Sequence, residues 1–497
     1  MSDATMIRLR ERIDALDARM LELLRTRLLL SAAIAERKRA LGLPTLDAAR
    51  EAEKRARAAA LGGASAEALQ ETLMALSRAY QDALPGKGLR CGLVGEKLGH
   101  SYSPKIHGLL GAYDYRLIEL SPDELQDFFE KRDFDGLNVT IPYKKAVLPL
   151  CDELTARAKT IGSVNTVVRR ADGTLLGDNT DFFGFCCLLR AAGIDPHGKK
   201  ALVLGSGGAS LTVQAALREF GAREIVVVSR EGETNYVNLY EKHPDAQLLV
   251  NATPVGMAPN TGESLVLLPM LPRLEAVVDL IYNPARTKLL LDAERLGLKA
   301  VNGLGMLTAQ AAAACERFTG RQTDGDTIRL LTRELEREMK NLVLVGMPGC
   351  GKSSVGRALA ERLGRPFADC DAGIEERCGR SIPEIFDNEG EAGFRRREQE
   401  LLRELSKRSG LVIACGGGAL TQSGNLELLR QNAIILWLRR DLKKLPTEGR
   451  PLSQSRPIEE LYRERETQYR EAAELVVDND GSLEETLQKI LEALEVL

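Results

Sequence analysis

The sequence predicts a multidomain protein in which an all-α segment is followed by two α/β segments. Its 497 residues are enough for about three domains at roughly 150 residues each. Residues 1–84 are rich in Ala, Leu, Arg and Glu, whereas strand–turn–helix alternation begins after the PGKG turn at 85–88. A charged helix is predicted over 326–340, and a second alternating section follows it. We therefore predict three domains, over residues 1–86, 87–338 and 339–497.

The composition narrows the class of protein. The 68 Lys and Arg against 71 Asp and Glu give a net charge of −3, which argues against a nucleic-acid binder or a polybasic membrane anchor. Hydrophobic residues make up 44% and charged residues 28%, so the chain is expected to fold throughout. The nine cysteines form no C-x-x-C pair, which is typical of a reducing compartment. Because the sequence has no leader-like N-terminus and no apolar run of about 18 residues, we expect a soluble, cytoplasmic protein without a membrane partner.

The first segment has charged and polar side chains at spacings that suit a small anionic substrate. A heptad-like apolar repeat over 9–24 predicts a long amphipathic helix whose apolar stripe faces a core. Arg27 and Lys38 are eleven residues apart, so they share a helix face about 16 Å apart along the axis. Arg10 falls off that face and is better placed to serve a neighbouring chain. The other candidates lie at helical spacings from one another, and they are Asp47, Arg50, Glu51, Ser77 and Gln81.

This ordered set, L-R-x-x-I-D-x-x-D, R-x10-K, D-x-x-R-E and S-x-x-x-Q, resembles the all-helical chorismate mutase family over the whole segment. The resemblance implies a homodimer in which Arg10 enters the partner's pocket. Such a site needs no nucleophile, because it folds the chorismate dianion into its reactive conformer and stabilises the oxygen that gains charge. The implied roles are carboxylate binding by Arg27, Lys38 and Arg50, contact with the ether oxygen by Lys38 and Gln81, and contact with the hydroxyl side by Asp47, Glu51 and Ser77.

The second segment has polar side chains on the loops that follow its predicted strands. The strand-like runs are 91–95, 201–205, 224–229, 248–252 and 276–282. The strand that ends at Pro142 has Thr140 and Lys144 at its exit. Hydroxyls, amides and one Lys–Asp pair suit a polyhydroxylated ring, because each substrate hydroxyl needs a matched partner. The candidate residues are Ser101, Ser103, Thr140, Lys144, Asn165, Thr180 and Asp181.

A glycine-rich turn follows one of these strands and opens a predicted helix. It is a shortened dinucleotide fingerprint, in which backbone N–H groups face a pyrophosphate, made of Gly205, Ser206, Gly207, Gly208 and Ala209. The next strand ends at Arg230, where an NAD enzyme would have an acidic residue for the ribose hydroxyl. Arg230 suits a 2′-phosphate and favours NADP(H). Glu231 and Glu233 would repel that phosphate, so the cofactor preference stays open.

Together, HSYSP, NVTIPYK, GSVNT, NTDFFGF, GSGGAS, NATPVGM, DLIYNP and NGLGMLTAQA are similar in sequence and order to shikimate dehydrogenases. The similarity implies a substrate lobe over 87–190, a Rossmann-like NADP-binding lobe over 191–305 and C-terminal helices over 306–338. It implies that Lys144 and Asp181 form the catalytic pair, which exchanges a proton with the C3 oxygen while the nicotinamide moves a hydride. The residues that it adds are Tyr282 and Gln310 for the substrate and Gly303 for the cofactor.

The third segment opens with a strand, a loop and a helix around G-x-x-x-x-G-K-S, residues 346–353. In such a loop the backbone N–H groups hold phosphates, Lys352 reaches the β and γ oxygens, and the Ser353 hydroxyl ligates Mg²⁺. Asp369 and Asp371 lie two residues apart at a strand end, where one carboxylate suits Mg²⁺ and the other a substrate hydroxyl. The other predicted ATP contacts are Gly349, Cys350, Gly351 and Ser354.

With FADCDAGIE, FRRRE, CGGGA, GRPL and RERETQYREAA, the P-loop resembles shikimate kinase over the whole segment, which implies an α/β kinase with a parallel sheet. The implied roles are shikimate binding by Asp371, Arg395, Arg465 and the backbone of Gly416, Gly417 and Gly418, Mg²⁺ binding by Asp369, and closure of a lid by Arg450. Because Arg396 and Arg397 follow Arg395, the register of the substrate arginine could slip by one. The adenine contact stays open.

The three resemblances imply a trifunctional enzyme of aromatic amino-acid biosynthesis. The second domain would reduce 3-dehydroshikimate to shikimate with NADPH, the third would phosphorylate shikimate with MgATP, and the first would rearrange chorismate to prephenate. Two alternatives remain. The helical domain could be a non-catalytic dimerisation or effector-sensing module, and the second domain could be a quinate/shikimate oxidoreductase that works with NAD.

Overall fold

The computed structural model describes residues 2–44, 46–99, 101–445 and 457–496. The helices in these ranges are α1 Ser2–Ala40, α2 Ala48–Asp82, α3 Ser103–Leu110, α4 Leu125–Lys131, α5 Ala156–Ile161, α6 Asp181–Ala191, α7 Gly208–Glu219, α8 Leu239–Lys242, α9 Lys288–Arg295, α10 Leu304–Thr319, α11 Gly325–Met339, α12 Lys352–Leu363, α13 Cys370–Cys378, α14 Ile382–Leu405, α15 Asn425–Arg430, α16 Ile458–Ala472 and α17 Leu483–Val496. None of these helices combines the length and the hydropathy that a bilayer crossing requires.

The strands are β1 Arg90–Gly95, β2 Asp114–Glu119, β3 Gly136–Val139, β4 Glu153–Leu154, β5 Thr166–Arg169, β6 Leu175–Asp178, β7 Lys200–Leu204, β8 Glu224–Val228, β9 Leu248–Asn251, β10 Ala276–Asp279, β11 Lys299–Val301, β12 Asn341–Val345, β13 Phe367–Asp369, β14 Val412–Ala414, β15 Ala433–Arg439 and β16 Leu475–Asp478. The chain forms two compact units. The first consists of Met1–Thr234 and Gly303–Glu334, and the second of Asn235–Asn302 and Leu335–Leu497.

The first segment is helical, as predicted. The Asp47 carboxylate accepts a hydrogen bond from Arg50 N and so caps the start of α2. That helix is interrupted at Gly63, whose φ of 62° a residue with a side chain rarely adopts. The C-terminal half of α1 is packed, with Ala32 fully buried. The prediction that the stripe over 9–24 faces a core is wrong within the single chain, because five of its residues are 52–60% exposed, namely Leu9, Ile13, Leu16, Met20 and Leu23.

A six-stranded sheet in the order β2-β1-β3-β5-β6-β4 follows the helices in the first unit. Strands β1, β2 and β3 are parallel, whereas β5 is antiparallel to both β3 and β6. Because β5 runs opposite to β3 and β6, the GSVNT loop before β5 lies at the same edge of the sheet as the ends of β3 and β6. Helices α6 and α10 approach closely at Gly184, where a Cβ would lie 2.6 Å from Met306 O. This sheet edge and the start of α6 position the first site.

The remaining strands form parallel ladders. In the first unit β7 pairs with β8, and α7 follows β7 directly. In the second unit β9, β10 and β11 form one ladder, and a five-stranded parallel sheet has the order β13-β14-β12-β15-β16. The carboxyl ends of β12, β13 and β14 lead to the P-loop, to Asp369 and to the CGGGA turn. Because these ends share one edge of the sheet, the predicted kinase residues converge there.

Candidate active sites

The first candidate site contains a buried ion pair. Lys144 lies in the turn after β3, and Asp181 is the first residue of α6. Lys144 Nζ lies 2.6 Å from Asp181 Oδ2, and the two side chains are only 17% and 9% exposed. The turn is held against the GSVNT loop, because Val164 N donates to Lys144 O at 2.8 Å. An ammonium and a carboxylate at this distance can exchange a proton with a bound substrate.

Three of the predicted substrate residues form one buried hydrogen-bonded cluster. Asn165 Nδ2 donates to Thr180 Oγ1 at 3.1 Å and to Gln310 Oε1 at 3.4 Å. Thr180 N donates in turn to Asn165 Oδ1 at 2.7 Å, so both ends of the amide are used. Sequence reasoning missed Thr166, whose hydroxyl lies 2.9 Å from that of Thr180. Its position next to Asn165 in the GSVNT motif was the available signal.

The other predicted substrate residues occupy separate positions. Ser101 and Ser103 lie together before and at the start of α3, where Ser103 N donates to Ser101 Oγ at 3.2 Å. Thr140 follows β3 directly, and its N–H donates to Val94 O at 2.9 Å. Tyr282 belongs to the second compact unit and is half-buried in the loop after β10.

The glycine turn before α7 fits a dinucleotide. Gly205 has a φ of 101°, and Gly207 has open space where a side chain would lie. A Cβ at Gly208 would lie 3.1 Å from Ser163 Oγ and 3.4 Å from the Cβ of Lys144, so the start of α7 lies beside the ion pair. The Ser163 hydroxyl is buried and has no partner among the described residues. Sequence reasoning missed Ser163, although it lies in the GSVNT motif.

The flanking residues of this turn are placed as follows. Ser206 in the turn is exposed, and Ala209 at the start of α7 is half-buried. Arg230 follows β8, is exposed and makes no ion pair with a described residue. Gly303 is the buried N-cap residue of α10. An exposed, unpaired guanidinium one strand beyond a glycine turn suits a 2′-phosphate.

The second candidate site lies between α1 and α2. The Arg27 guanidinium donates to Ser77 Oγ and to Leu73 O, and burial lowers the pKa of Arg27. Gln81 Nε2 donates to Ser31 O at 2.8 Å, and Ser31 Oγ lies 2.9 Å from Ser77 Oγ. The structure thus brings Arg27, Ser77 and Gln81 together, with Ser31 as a residue that sequence reasoning missed.

That cluster does not include Glu51, Arg50 or Arg10. Glu51 forms an ion pair with Arg78, a second residue that sequence reasoning missed. Arg50 is exposed and forms an ion pair with Glu53 instead of a pocket contact. Arg10 is exposed on the N-terminal half of α1, while Lys38 lies in its last turn. The cluster within one chain therefore has one half-buried arginine, Arg27.

The third candidate site is a cavity of about 440 Å³ in the second unit. Twelve of the residues predicted for the kinase line this cavity, namely Gly349, Gly351, Lys352, Ser353, Ser354, Asp369, Asp371, Arg395, Gly416, Gly417, Gly418 and Arg465. Cys350 is fully buried in the loop. Arg450 lies outside the described residues.

The P-loop in this cavity fits a polyphosphate and Mg²⁺. Lys352 Nζ donates to the carbonyls of Gly346 and Met347 at 2.9 Å, which curls the loop around the ammonium. Gly351 has a φ of 99°, and a Cβ there would meet the Asn479 amide. Ser353 is exposed to the cavity. Asp369 Oδ1 accepts from Asp371 N at 3.0 Å, which leaves its second oxygen for a cation.

A buried ion pair fixes the substrate arginine. Arg395 Nη1 lies 2.7 Å from Glu398 Oε2, with the two side chains 5% and 0% exposed. Arg396 is exposed and Arg397 pairs with Glu389, so of the three arginines only Arg395 reaches the cavity. Sequence reasoning missed Glu398, although its i+3 spacing from Arg395 was a usable signal.

Burial shifts the pKa values of two carboxyl groups at this site, those of Asp371 and Glu398. Burial raises the pKa of the Asp371 carboxyl, and the nearby Lys352 ammonium opposes the shift. Burial likewise raises the pKa of Glu398, against the effect of Arg395. A carboxylate with a raised pKa is a better proton acceptor than a solvated one, so Asp371 suits deprotonation of a substrate hydroxyl.

Three contacts complete the cavity wall. Arg465 Nη1 donates to Gly417 O at 3.2 Å, and the Tyr469 hydroxyl donates to the same carbonyl. Arg440 follows β15, lines the cavity and has an Nε without a partner among the described residues. Sequence reasoning missed Arg440 and Tyr469, because their proximity to the P-loop and the glycine turn depends on strand order.

Three family models match the chain. They are Chorismate mutase type II over residues 9–82, Shikimate dehydrogenase substrate binding domain over 93–167, and Shikimate kinase over 348–495.

Curated relatives match about half of the chain. A shikimate dehydrogenase (NADP(+)) of Clostridium perfringens strain SM101 is 37% identical over 272 residues, which are 49% of this chain and 97% of the relative. The corresponding protein of Methanopyrus kandleri is 40% identical over 269 residues, which are 48% of this chain and 92% of the relative. A solved chorismate mutase/shikimate 5-dehydrogenase fusion protein from Clostridium acetobutylicum is 37% identical, with a TM-score of 0.47 and coverage of 50% of this chain and 96% of that one.

Proposed function

Because the chain belongs to the shikimate dehydrogenase family and also has chorismate mutase and shikimate kinase domains, we propose that Lys144 and Asp181 transfer the proton when 3-dehydroshikimate is reduced. NADPH, held at the glycine turn before α7, supplies the hydride. The Lys144 ammonium donates a proton to the substrate carbonyl oxygen, and the Asp181 carboxylate keeps the ammonium oriented. The observation that supports this assignment is the buried 2.6 Å pair beside the cluster of Asn165, Thr180 and Gln310.

Three activities lie in this one chain: shikimate dehydrogenase with NADP(H), shikimate kinase with MgATP, and chorismate mutase. Their substrates are small molecules. A non-catalytic helical module is not favoured, because the mutase family model covers residues 9–82. An NAD-dependent oxidoreductase is not favoured, because the curated relatives are NADP(+) enzymes. The nine free cysteines support our proposal of a reducing, cytoplasmic location.

For the kinase, we propose that Asp371 accepts the proton of the shikimate hydroxyl while Asp369 and Ser353 ligate Mg²⁺. MgATP supplies the phosphoryl group. The raised pKa of Asp371 and the opening of Asp369 and Ser353 to one cavity support these roles. Arg395, held by Glu398, binds the substrate carboxylate with Arg465, since both guanidinium groups line that cavity.

For the mutase, we propose a homodimer in which α1 packs against α1 of a second copy. The exposed stripe over 9–24 supports this assembly, because a contiguous row of large apolar side chains is costly to leave in water. Arg10 lies on this half of α1, so the partner would supply it to a pocket that has one half-buried arginine of its own, Arg27. Arg27 and the imported Arg10 then bind the substrate carboxylates.

The assignment of the dehydrogenase pair is tested by replacing Lys144 with methionine. We expect Lys144→Met to lower kcat for 3-dehydroshikimate reduction by about 10²- to 10⁴-fold, because the proton donor is removed. The fall in NADPH absorbance at about 340 nm measures the rate. The matched control is Lys145→Met, since Lys145 is adjacent in sequence but exposed. Equal rates for the two variants would contradict the assignment.

A further inference from the structure

The loop between β10 and α9 is closed at its base by one buried carboxylate. Asp279 is fully buried, and its Oδ1 accepts hydrogen bonds from Ile281 N and from Asn251 Nδ2, each at 3.0 Å. Its Oδ2 accepts from Thr287 Oγ1 at 2.7 Å. Asp279 thus joins the beginning of the loop to its end. The tip, residues 282–286, extends beyond these bonds.

Residues of the kinase domain hold the tip of this loop. Arg286 N donates to Gln431 O at 2.8 Å, and Ala285 N donates to Asn432 Oδ1 at 3.4 Å. Asn432 is itself fixed, because it is buried and its Nδ2 donates to Ser409 Oγ at 3.1 Å. The acceptors for the loop therefore belong to a rigid turn between α15 and β15.

Complementary charges flank these hydrogen bonds. Arg295 Nη2 at the end of α9 lies 2.6 Å from Glu427 Oε1 on α15. Arg286 Nη1 lies 3.7 Å from Glu474 Oε1. Both arginines belong to the dehydrogenase segment and both glutamates to the kinase segment, so the charges across the contact are complementary.

We propose that the kinase segment 427–432 is a docking surface for the β10–α9 loop and that Glu427 and Asn432 are positioning residues of the dehydrogenase. This inference rests on the proposed dehydrogenase function and on the substrate contact that the family resemblance implies for Tyr282 in this loop. Lys144 and Asp181 belong to other elements. Displacement of the loop therefore weakens substrate binding and leaves proton transfer intact, so it raises KM for 3-dehydroshikimate while kcat is kept.

The test is reversal of one kinase carboxylate in the full-length protein. We expect Glu427→Arg to raise KM for 3-dehydroshikimate about two- to five-fold, since an exposed ion pair has an effect of this size. Kinase kcat and KM should stay unchanged. Hydrogen exchange of peptides covering 280–287 should become faster. The double variant Arg295→Glu/Glu427→Arg restores the opposite charges and should return both measurements towards the wild-type values.

The matched control is Glu484→Arg, which breaks an exposed ion pair inside the kinase domain, Arg362–Glu484 at 2.7 Å. This variant should leave the dehydrogenase KM and the exchange of 280–287 unchanged. An unchanged KM and unchanged exchange in Glu427→Arg would overturn the docking proposal, as would equal losses of both activities. If the exchange becomes faster while KM is unchanged, the docking stands as a contact but the positioning role of Glu427 is refuted. Failure of the wild-type protein to reduce 3-dehydroshikimate would refute the proposed function separately, because exchange is measured without substrate.

Discussion

Asp279 shows at the residue scale how burial changes the chemistry of a carboxyl group. Burial raises its pKa to about 6, although hydrogen bonds from Thr287, Ile281 and Asn251 oppose the shift. In the unfolded chain the same group has a pKa of about 3.9. Between these two values the folded protein holds the proton more tightly than the unfolded chain does. The contribution of Asp279 to the free energy of unfolding is therefore greatest below about pH 4 and falls as the pH rises to about 6.

The variant Asp279→Asn removes this titration. We expect the midpoint temperature of the wild type, relative to that of the variant, to fall as the pH rises from about 4 to about 6, because only the wild type loses a favourable proton. Thermal unfolding of both proteins across this range measures the difference. A difference between the two midpoints that is constant with pH would show that Asp279 titrates alike in the folded and unfolded states.

Arg440 is a second residue whose setting predicts an effect. Its guanidinium lines the P-loop cavity and its Nε has no partner among the described residues. We expect Arg440→Ala to raise KM for ATP about ten-fold, since a charge-assisted hydrogen bond to a phosphate is lost, and to leave KM for shikimate unchanged. The shift in unfolding midpoint on addition of ATP should shrink as well.

The matched control for this change is Arg439→Ala. Arg439 is the preceding residue, but it does not line the cavity. It is half exposed and forms an ion pair with Asp478 instead. If both variants have the same KM for ATP, Arg440 has no role in nucleotide binding.

Residue identities at the sites were predictable where a motif fixes the spacing. Lys144 with Asp181 and Lys352 with Asp371 were found from sequence, and the structure places each pair in one site. Ser163, Glu398 and Arg440 were missed. Their importance comes from three-dimensional neighbours. Ser163 lies beside the start of α7, Glu398 beside a buried guanidinium, and Arg440 at the end of β15, which the strand order places next to β12 and its P-loop.

At the scale of elements, half of the 16 described strands were predicted from the sequence, but their ends were not. The run 276–282 is apolar throughout except at Asp279, and β10 ends there because the Asp279 carboxylate binds Ile281 N in place of a strand partner. The short antiparallel strands β5 and β6 were not predicted. Their pattern follows from pairing across the sheet, which sequence spacing does not reveal.

Helix α1 was predictable as a helix, whereas the partner of its apolar face was not. A sequence repeat identifies an apolar stripe but not whether the covering surface belongs to the same chain. This stripe, in the N-terminal half of α1, is exposed, while Leu29 and Ala35 in the C-terminal half of the helix are buried.

We expect Leu16→Glu to dissociate the proposed dimer, because a carboxylate would be buried in an apolar interface. Chorismate turnover should fall with dissociation, since Arg10 would no longer reach the second copy, and the reduction of 3-dehydroshikimate should persist. Sedimentation velocity measures the oligomeric state. Leu61→Glu is the control, because Leu61 is 80% exposed beside the kink in α2. A monomeric wild type, or mutase activity in a monomeric variant, would contradict the proposal.

At the scale of the whole molecule, two of the activities are consecutive in their chemistry. The product of the dehydrogenase is the hydroxylated acid that the kinase phosphorylates. The catalytic pair of the first lies in one compact unit and the P-loop cavity of the second lies in the other. Each reaction should therefore respond to its own residues.

Incubation of the protein with 3-dehydroshikimate, NADPH and MgATP tests this separation. We expect Asp371→Asn to accumulate shikimate without phosphorylated product, because the proton acceptor of the kinase is lost while Lys144 and Asp181 still reduce the ketone. Lys144→Met should give neither product from 3-dehydroshikimate, yet it should phosphorylate added shikimate at the wild-type rate. Chromatography of the three compounds over time measures both. If added shikimate fails to restore phosphorylation in Lys144→Met, the change at the dehydrogenase site has reached the kinase. The two sites would then be coupled more strongly than the contacts at the β10–α9 loop account for.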